Sequence, residues 1–121
     1  VDDIVEGVVR IMQHAPEKQN GEDGLPIPPY KVYNIGNNHP ENLLEFVTIL
    51  QEELVRAGVL PENYDFEAHK ELVPMQLGDV PVTYADTTPL ELDFGFKPST
   101  NLKEGLRAFA EWYLAYYKYA K

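Results

Sequence analysis

The chain has 121 residues, a formal net charge of -10 from 20 acidic and 10 basic side chains, and no cysteine. That length fits one domain able to bury a core of its own, and the charge repels phosphate backbones and anionic lipid, which sets aside general nucleic-acid or membrane-surface binding. The lack of cysteine removes disulfides, thiolate metal sites and thiol nucleophiles and fits a reducing cytoplasm, and no apolar run reaches bilayer length or follows a basic leader.

The sequence starts Val1-Asp2-Asp3-Ile4, without methionine, and enters helical periodicity at once. It reads as a piece cut from something longer. Asp2 or Asp3 is placed to cap the first helix, with Glu6 three residues after Asp3, and Ile4, Val5, Val8, Val9 and Met12 recur on one face. Pro16 stops this helix near His14. Residues 16–29 (PEKQNGEDGLPIPP) then carry four prolines and two glycines, the composition of a long surface loop.

Residues 31–35 (KVYNI) are β-prone and end at Gly36-Asn37-Asn38, which predicts a half-buried strand followed by a turn. Asn38 or His39 is placed to cap the next helix with Pro40 in its first turn. Leu43, Phe46, Val47, Leu50 and Leu54 form its apolar stripe, and Gly58 supplies its stop. From Gly58 to Lys70 no period persists, which predicts an irregular connection.

Residues 72–86 (LVPMQLGDVPVTYAD) hold two apolar runs around the turn Gln76-Leu77-Gly78-Asp79, where a carboxylate and an amide share one loop tip. Asp86-Thr87-Thr88-Pro89 starts a short helix ended by Gly95, with Asp86 read as a cap. Ser99, Thr100 or Asn101 caps a last helix on which Leu102, Leu106, Phe109, Ala110, Tyr113, Tyr116 and Tyr117 line one side. Such a stripe predicts core; left uncovered, it favours self-association.

Catalytic and metal patterns are sparse. His14, His39 and His69 stand singly without ligand spacing, so no metal site is expected. Neither GxGxxG nor GxxxxGK occurs. Ser99, the only serine, lacks a nucleophile-elbow context. The acid pairs Glu22/Asp23 and Glu52/Glu53 fall in a loop and on a polar helix face, where solvation is the expectation. Tyr117 and Lys121 have Tyr-x-x-x-Lys spacing, but at a fraying chain end. No catalytic residue is assigned.

Four stretches occur in an order that resembles a known family. They are Val1-Asp2-Asp3-Ile4-Val5-Glu6-Gly7, Tyr33-Asn34-Ile35-Gly36-Asn37, Pro74-Met75-Gln76-Leu77-Gly78-Asp79-Val80 with Thr83-Tyr84-Ala85-Asp86, and Gly95-Phe96-Lys97-Pro98-Ser99-Thr100 through Glu104-Gly105-Leu106 and Phe109-Ala110-Glu111-Trp112-Tyr113. Together they resemble the NAD-dependent epimerase/dehydratase family, the extended short-chain dehydrogenases/reductases, and most nearly the C-terminal part of UDP-glucuronate 4-epimerases.

The resemblance implies an α/β protein, α+β as an isolated fragment, in which 1–121 is a single substrate-binding portion and the N-terminal Rossmann domain lies elsewhere. It implies NAD in the full-length enzyme and none held by this portion, with a UDP-sugar as substrate. It further implies that Asp79 accepts from the ribose hydroxyls and that Gln76 lies near the diphosphate. Many relatives have Arg at the position of Gln76, and an amide supplies neither the charge nor the fork of a guanidinium. The alternatives are another nucleotide-sugar decarboxylase or dehydratase of the same superfamily, or a non-catalytic acidic interaction module.

Overall fold

The structure, a computed structural model, describes residues 1–117. It is a mixed α/β arrangement of four α-helices and one two-stranded sheet, resolved into two compact units. One unit comprises Val1–His39 with Tyr84–Ser99, and the other Pro40–Thr83 with residues 100–117.

In the first unit α1 spans Asp2–Met12. Its N-cap is Val1, so Asp2 and Asp3 are not caps but first-turn residues, where a carboxylate complements the helix dipole. Asp3 instead accepts the Ser99 backbone N–H at 3.1 Å, and Glu6 pairs with Arg10 at 2.6 Å rather than closing a capping box. The predicted loop 16–29 contains a small hairpin, β1 (Gln19–Asn20) antiparallel to β2 (Pro26–Ile27), with Gln19 opposite Ile27. Its turn is closed by Gly21 N–H to Leu25 O (2.8 Å) and Leu25 N–H to Asp23 Oδ1 (3.0 Å).

The predicted strand 31–35 is not one. Among the described residues it has no ladder partner, and strand-like side chains cannot make a strand without a paired edge. Burial is uneven along it, with Tyr33 and Ile35 half-buried and Lys31, Val32 and Asn34 exposed. Ile35 packs on α1 at Gly7, where a Cβ would lie 3.1 Å from the Ile35 Cδ1. The short helix α3 spans Thr88–Phe94 and stops at Gly95 in the left-handed region (φ 57). Asp86 serves its start from one position further out than a standard cap, its Oδ1 accepting from Thr88 N–H at 3.0 Å. Leu90, at the centre of α3, is 0% exposed and anchors this unit.

The second unit is built on two packed helices, α2 (Leu43–Ala57) and α4 (Leu102–Tyr117). Contrary to the Asn38 or His39 expectation, α2 is capped by Asn42, whose Oδ1 accepts from Leu44 N–H (2.9 Å) and Glu45 N–H (3.2 Å). Pro40 therefore precedes the helix instead of entering it. Asn42→Ala is expected to cost about 1 kcal/mol, the usual loss for a removed cap, read as a shift of the urea midpoint. Gly58 ends α2 at φ 81, as its position predicts. For α4 the cap is Asn101, the third of the three candidates, which accepts from Glu104 N–H at 2.9 Å. The connection after Gly58 is ordered by one 3-10 turn, Glu67–His69, and by Tyr64 packed on Phe66 and stacked on His69.

The stripe on α4 is only partly core. Leu106 and Ala110 are buried, whereas Phe109, Trp112, Tyr116 and Tyr117 stay exposed and pack chiefly on one another, Trp112 stacking on Tyr116 at 5.1 Å. Glu53, expected to be solvated, is instead 2% exposed. It pairs with Arg56 one turn on and with Arg107 of α4 (3.5 Å), while Arg56 also reaches Glu111 (2.8 Å). The hydrogen bond from Arg56, reinforced by the charge of Arg107, holds the Glu53 carboxyl below the usual carboxylate range. A carboxyl depressed in the folded state stabilises it fully above the unfolded pKa, and that contribution disappears as pH falls through the folded value. Glu53→Gln is therefore expected to flatten the loss of urea stability below about pH 4; an acid limb as steep as that of the wild type would contradict the assignment.

Candidate functional site

The residues singled out for ligand binding occupy the two ends of one turn in the second unit. Asp79 N–H donates to the Gln76 carbonyl at 3.2 Å, and Gly78 sits at φ 98, a value that strains any residue with a Cβ. The apolar runs on either side are not strands: 71–76 and 79–80 carry no regular secondary structure, and all residues 71–83 are exposed. Of this stretch only the turn is defined. The apolar runs lack a neighbouring edge among the described residues, and an unpaired run has no ladder to hold it.

The turn brings Gln76 and Asp79 together at a solvent-open tip. Gln76 Nε2 donates to Pro74 O at 3.2 Å, which leaves its second N–H and its carbonyl available. The Asp79 carboxylate receives no hydrogen bond among the described residues, so both oxygens can accept from a ligand. No Lys or Arg occurs from 71 to 83, so this stretch supplies no cationic counter-charge to a phosphate. Chemically, the tip can take a pair of hydroxyls at Asp79 and a neutral hydrogen bond at Gln76.

A second polar cluster, in the first unit, was not anticipated from sequence. Asp93 Oδ2 accepts from the Lys31 ammonium and, at 2.6 Å, from the Tyr33 hydroxyl. The bond to Asp93 raises the Lys31 and Tyr33 pKa values, and the Lys31 bond lowers that of Asp93. Arg10 donates to the Phe94 carbonyl (3.2 Å) and lies over the Phe96 ring. Lys31 and Tyr33 share one face by their i, i+2 spacing, but Asp93 lies some 60 positions away, so no local pattern links them. The Glu53 cluster did carry a signal: Glu53/Arg56 and Arg107/Glu111 have the three- and four-residue spacings of helical ion pairs.

Among the described residues, no group of three His, Asp or Glu side chains could hold a metal ion, and no helix is long and apolar enough to cross a membrane. Ser99 lies just ahead of α4 with its N–H given to Asp3. Of the Tyr117 and Lys121 pair, Lys121 lies outside the described residues.

No family model matches the chain. Individual relatives do, along nearly its whole length. It is 43% identical over 124 residues to Protein CapI of Staphylococcus aureus, covering 98% of this chain and 34% of that protein. It is 36% identical over 120 residues to UDP-glucuronate 4-epimerase 4 of Arabidopsis thaliana, covering 97% and 25%. With a probable UDP-glucuronate 4-epimerase of Rhizobium meliloti it shares 34% identity over 127 residues, covering 99% and 34%. The chain thus spans a quarter to a third of the length of these relatives. By name, the second and third of these relatives are of the nucleotide-sugar epimerase kind. The likeness to proteins named UDP-glucuronate 4-epimerase runs through 97–100% of this chain at 33–39% identity, over a share of those relatives consistent with a C-terminal fragment.

Proposed function

We propose that residues 1–121 form the nucleotide-sugar-binding portion of an NAD-dependent epimerase that, as an intact enzyme, inverts C4 of UDP-glucuronate through a 4-keto intermediate. The observation that carries this reading is the likeness, at 33–39% identity, that runs through 97–100% of the chain to proteins named UDP-glucuronate 4-epimerase. The turn is chemically suited to it. Asp79 accepts from two vicinal ribose hydroxyls, and its charge keeps the diphosphate away from that end. Gln76, at the other end, offers an amide N–H to a phosphate oxygen.

We further propose that this portion does not itself hold NAD. The first turn of α1 carries Asp2 and Asp3, which repel a pyrophosphate, and the α2 start is already satisfied by Asn42. In this reading NAD, and the groups that move protons during hydride transfer, belong to the rest of the enzyme, with the Rossmann domain as the partner of this portion. The setting is cytoplasmic.

Isothermal titration of UDP into the chain tests the proposal. Saturable binding with 1:1 stoichiometry is expected, weaker than that of an intact enzyme. A chain that takes up no UDP even when the remainder of the enzyme is supplied would overturn it.

A further inference from the structure

The first unit contains a cleft of about 990 Å³ framed by α1, the β1–β2 hairpin and α3, at the upper end of the range for small-molecule sites. It shares no residue with the turn at 76–79 and is independent of the nucleotide reading. Its polar wall is the Lys31, Tyr33 and Asp93 cluster, with His14 beside it, and Phe94 and Ile27 supply apolar surface.

The polar wall has unused capacity. Both bonds to Asp93 fall on Oδ2, so Oδ1 receives none among the described residues. The Lys31 ammonium has three N–H donors and spends one on Asp93. His14 Nδ1 lies 3.2 Å from the Arg10 carbonyl, which can only accept, so Nδ1 carries a proton and Nε2 is left without a hydrogen-bond partner among the described residues.

The charges of Lys31 and Asp93 cancel within one contact and Glu17 adds an acidic side chain to the lining, so the cleft gives an anionic ligand no net attraction. A donor and an acceptor side by side instead match adjacent hydroxyl groups, each of which can give and take a hydrogen bond. The apolar floor suits a C–H face. We infer that this cleft is a ligand site for a neutral polyhydroxylated molecule, with a pyranose sugar unit as its chemical class.

The test is a titration of the full chain, labelled with ¹⁵N, with methyl β-D-glucopyranoside and in parallel with inorganic phosphate, followed by amide shifts. Saturable shifts are expected at His14, Tyr33 and Asp93 with the glucoside and not with phosphate. Lys31→Met keeps the aliphatic stem but removes the donors, and is expected to weaken glucoside binding about tenfold, the loss of one charge-assisted bond. Tyr33→Phe keeps the ring edge-on against Phe94 at 5.1 Å and serves as a second folded variant, expected to weaken binding because the hydroxyl that fixes the Asp93 carboxylate in place is lost. The inference is overturned if no saturable shift occurs in the wild type, if phosphate gives the same shifts, if the shifts map only to 76–79, or if both variants bind as the wild type does.

Discussion

Asp79→Ala is expected to remove measurable UDP binding while leaving the fold untouched. The carboxylate stands on an exposed turn with no hydrogen-bond partner among the described residues, so its loss breaks nothing inside the unit. Bound to a ribose, it accepts two hydroxyls, and two charge-assisted bonds at about 1.5–3 kcal/mol each correspond to a loss of at least about a hundredfold in affinity. The companion substitution Gln76→Arg goes the other way. It places a guanidinium where 71–83 has no basic residue, so UDP affinity should rise and become sensitive to salt. Calorimetry at two ionic strengths reads both variants. An Asp79→Ala protein that binds UDP like the wild type would remove the ribose contact from the reading, and a salt-independent Gln76→Arg would remove the diphosphate neighbour.

The helices were the legible part of this sequence because their signals are local. Gly58 and Gly95 both take left-handed backbone where the apolar pattern stops, and every predicted helix exists. Their starts were harder. Asn38, His39 and Asn42 are all plausible caps by residue type, and only the hydrogen bonds to Leu44 and Glu45 distinguish Asn42. Strands are less legible because a strand is a relation between two segments. Residues 31–35 have strand composition without a pairing, while the polar Gln19–Asn20 pairs across a proline-rich loop. Burial was legible only as a direction. Val5, Val8 and Val9 share a face as predicted, yet each remains more than 40% exposed, since periodicity names an apolar face and not what covers it. At the candidate site, the turn itself was readable from Gly78. The Lys31–Asp93 contact was not, because it joins residues that only the tertiary fold brings together.

Leu90→Ala is expected to be the most damaging single change to the fold, at about 2–5 kcal/mol for a fully buried leucine truncated to a methyl. Helix α3 is seven residues long, too short to hold itself in water, so packing must hold it. Leu90 is its fully buried side chain. Helix propensity cannot account for a loss, because alanine is the better helix former; the cavity left behind must be the cause. The effect should also travel. Asp93 and Phe94 end this helix and hold Lys31, Tyr33 and the Arg10 guanidinium, so loosening α3 should raise hydrogen exchange at 31–35 as well as at 88–94. Leu90→Met, close in volume, should cost under about 1.5 kcal/mol and leave those amides protected. Urea denaturation gives the first quantity and native-state exchange the second. A Leu90→Ala protein destabilised by less than about 1 kcal/mol would mean that the site collapses around the smaller side chain, and that α3 is held by its polar contacts to Lys31, Tyr33 and Arg10 rather than by its one buried leucine.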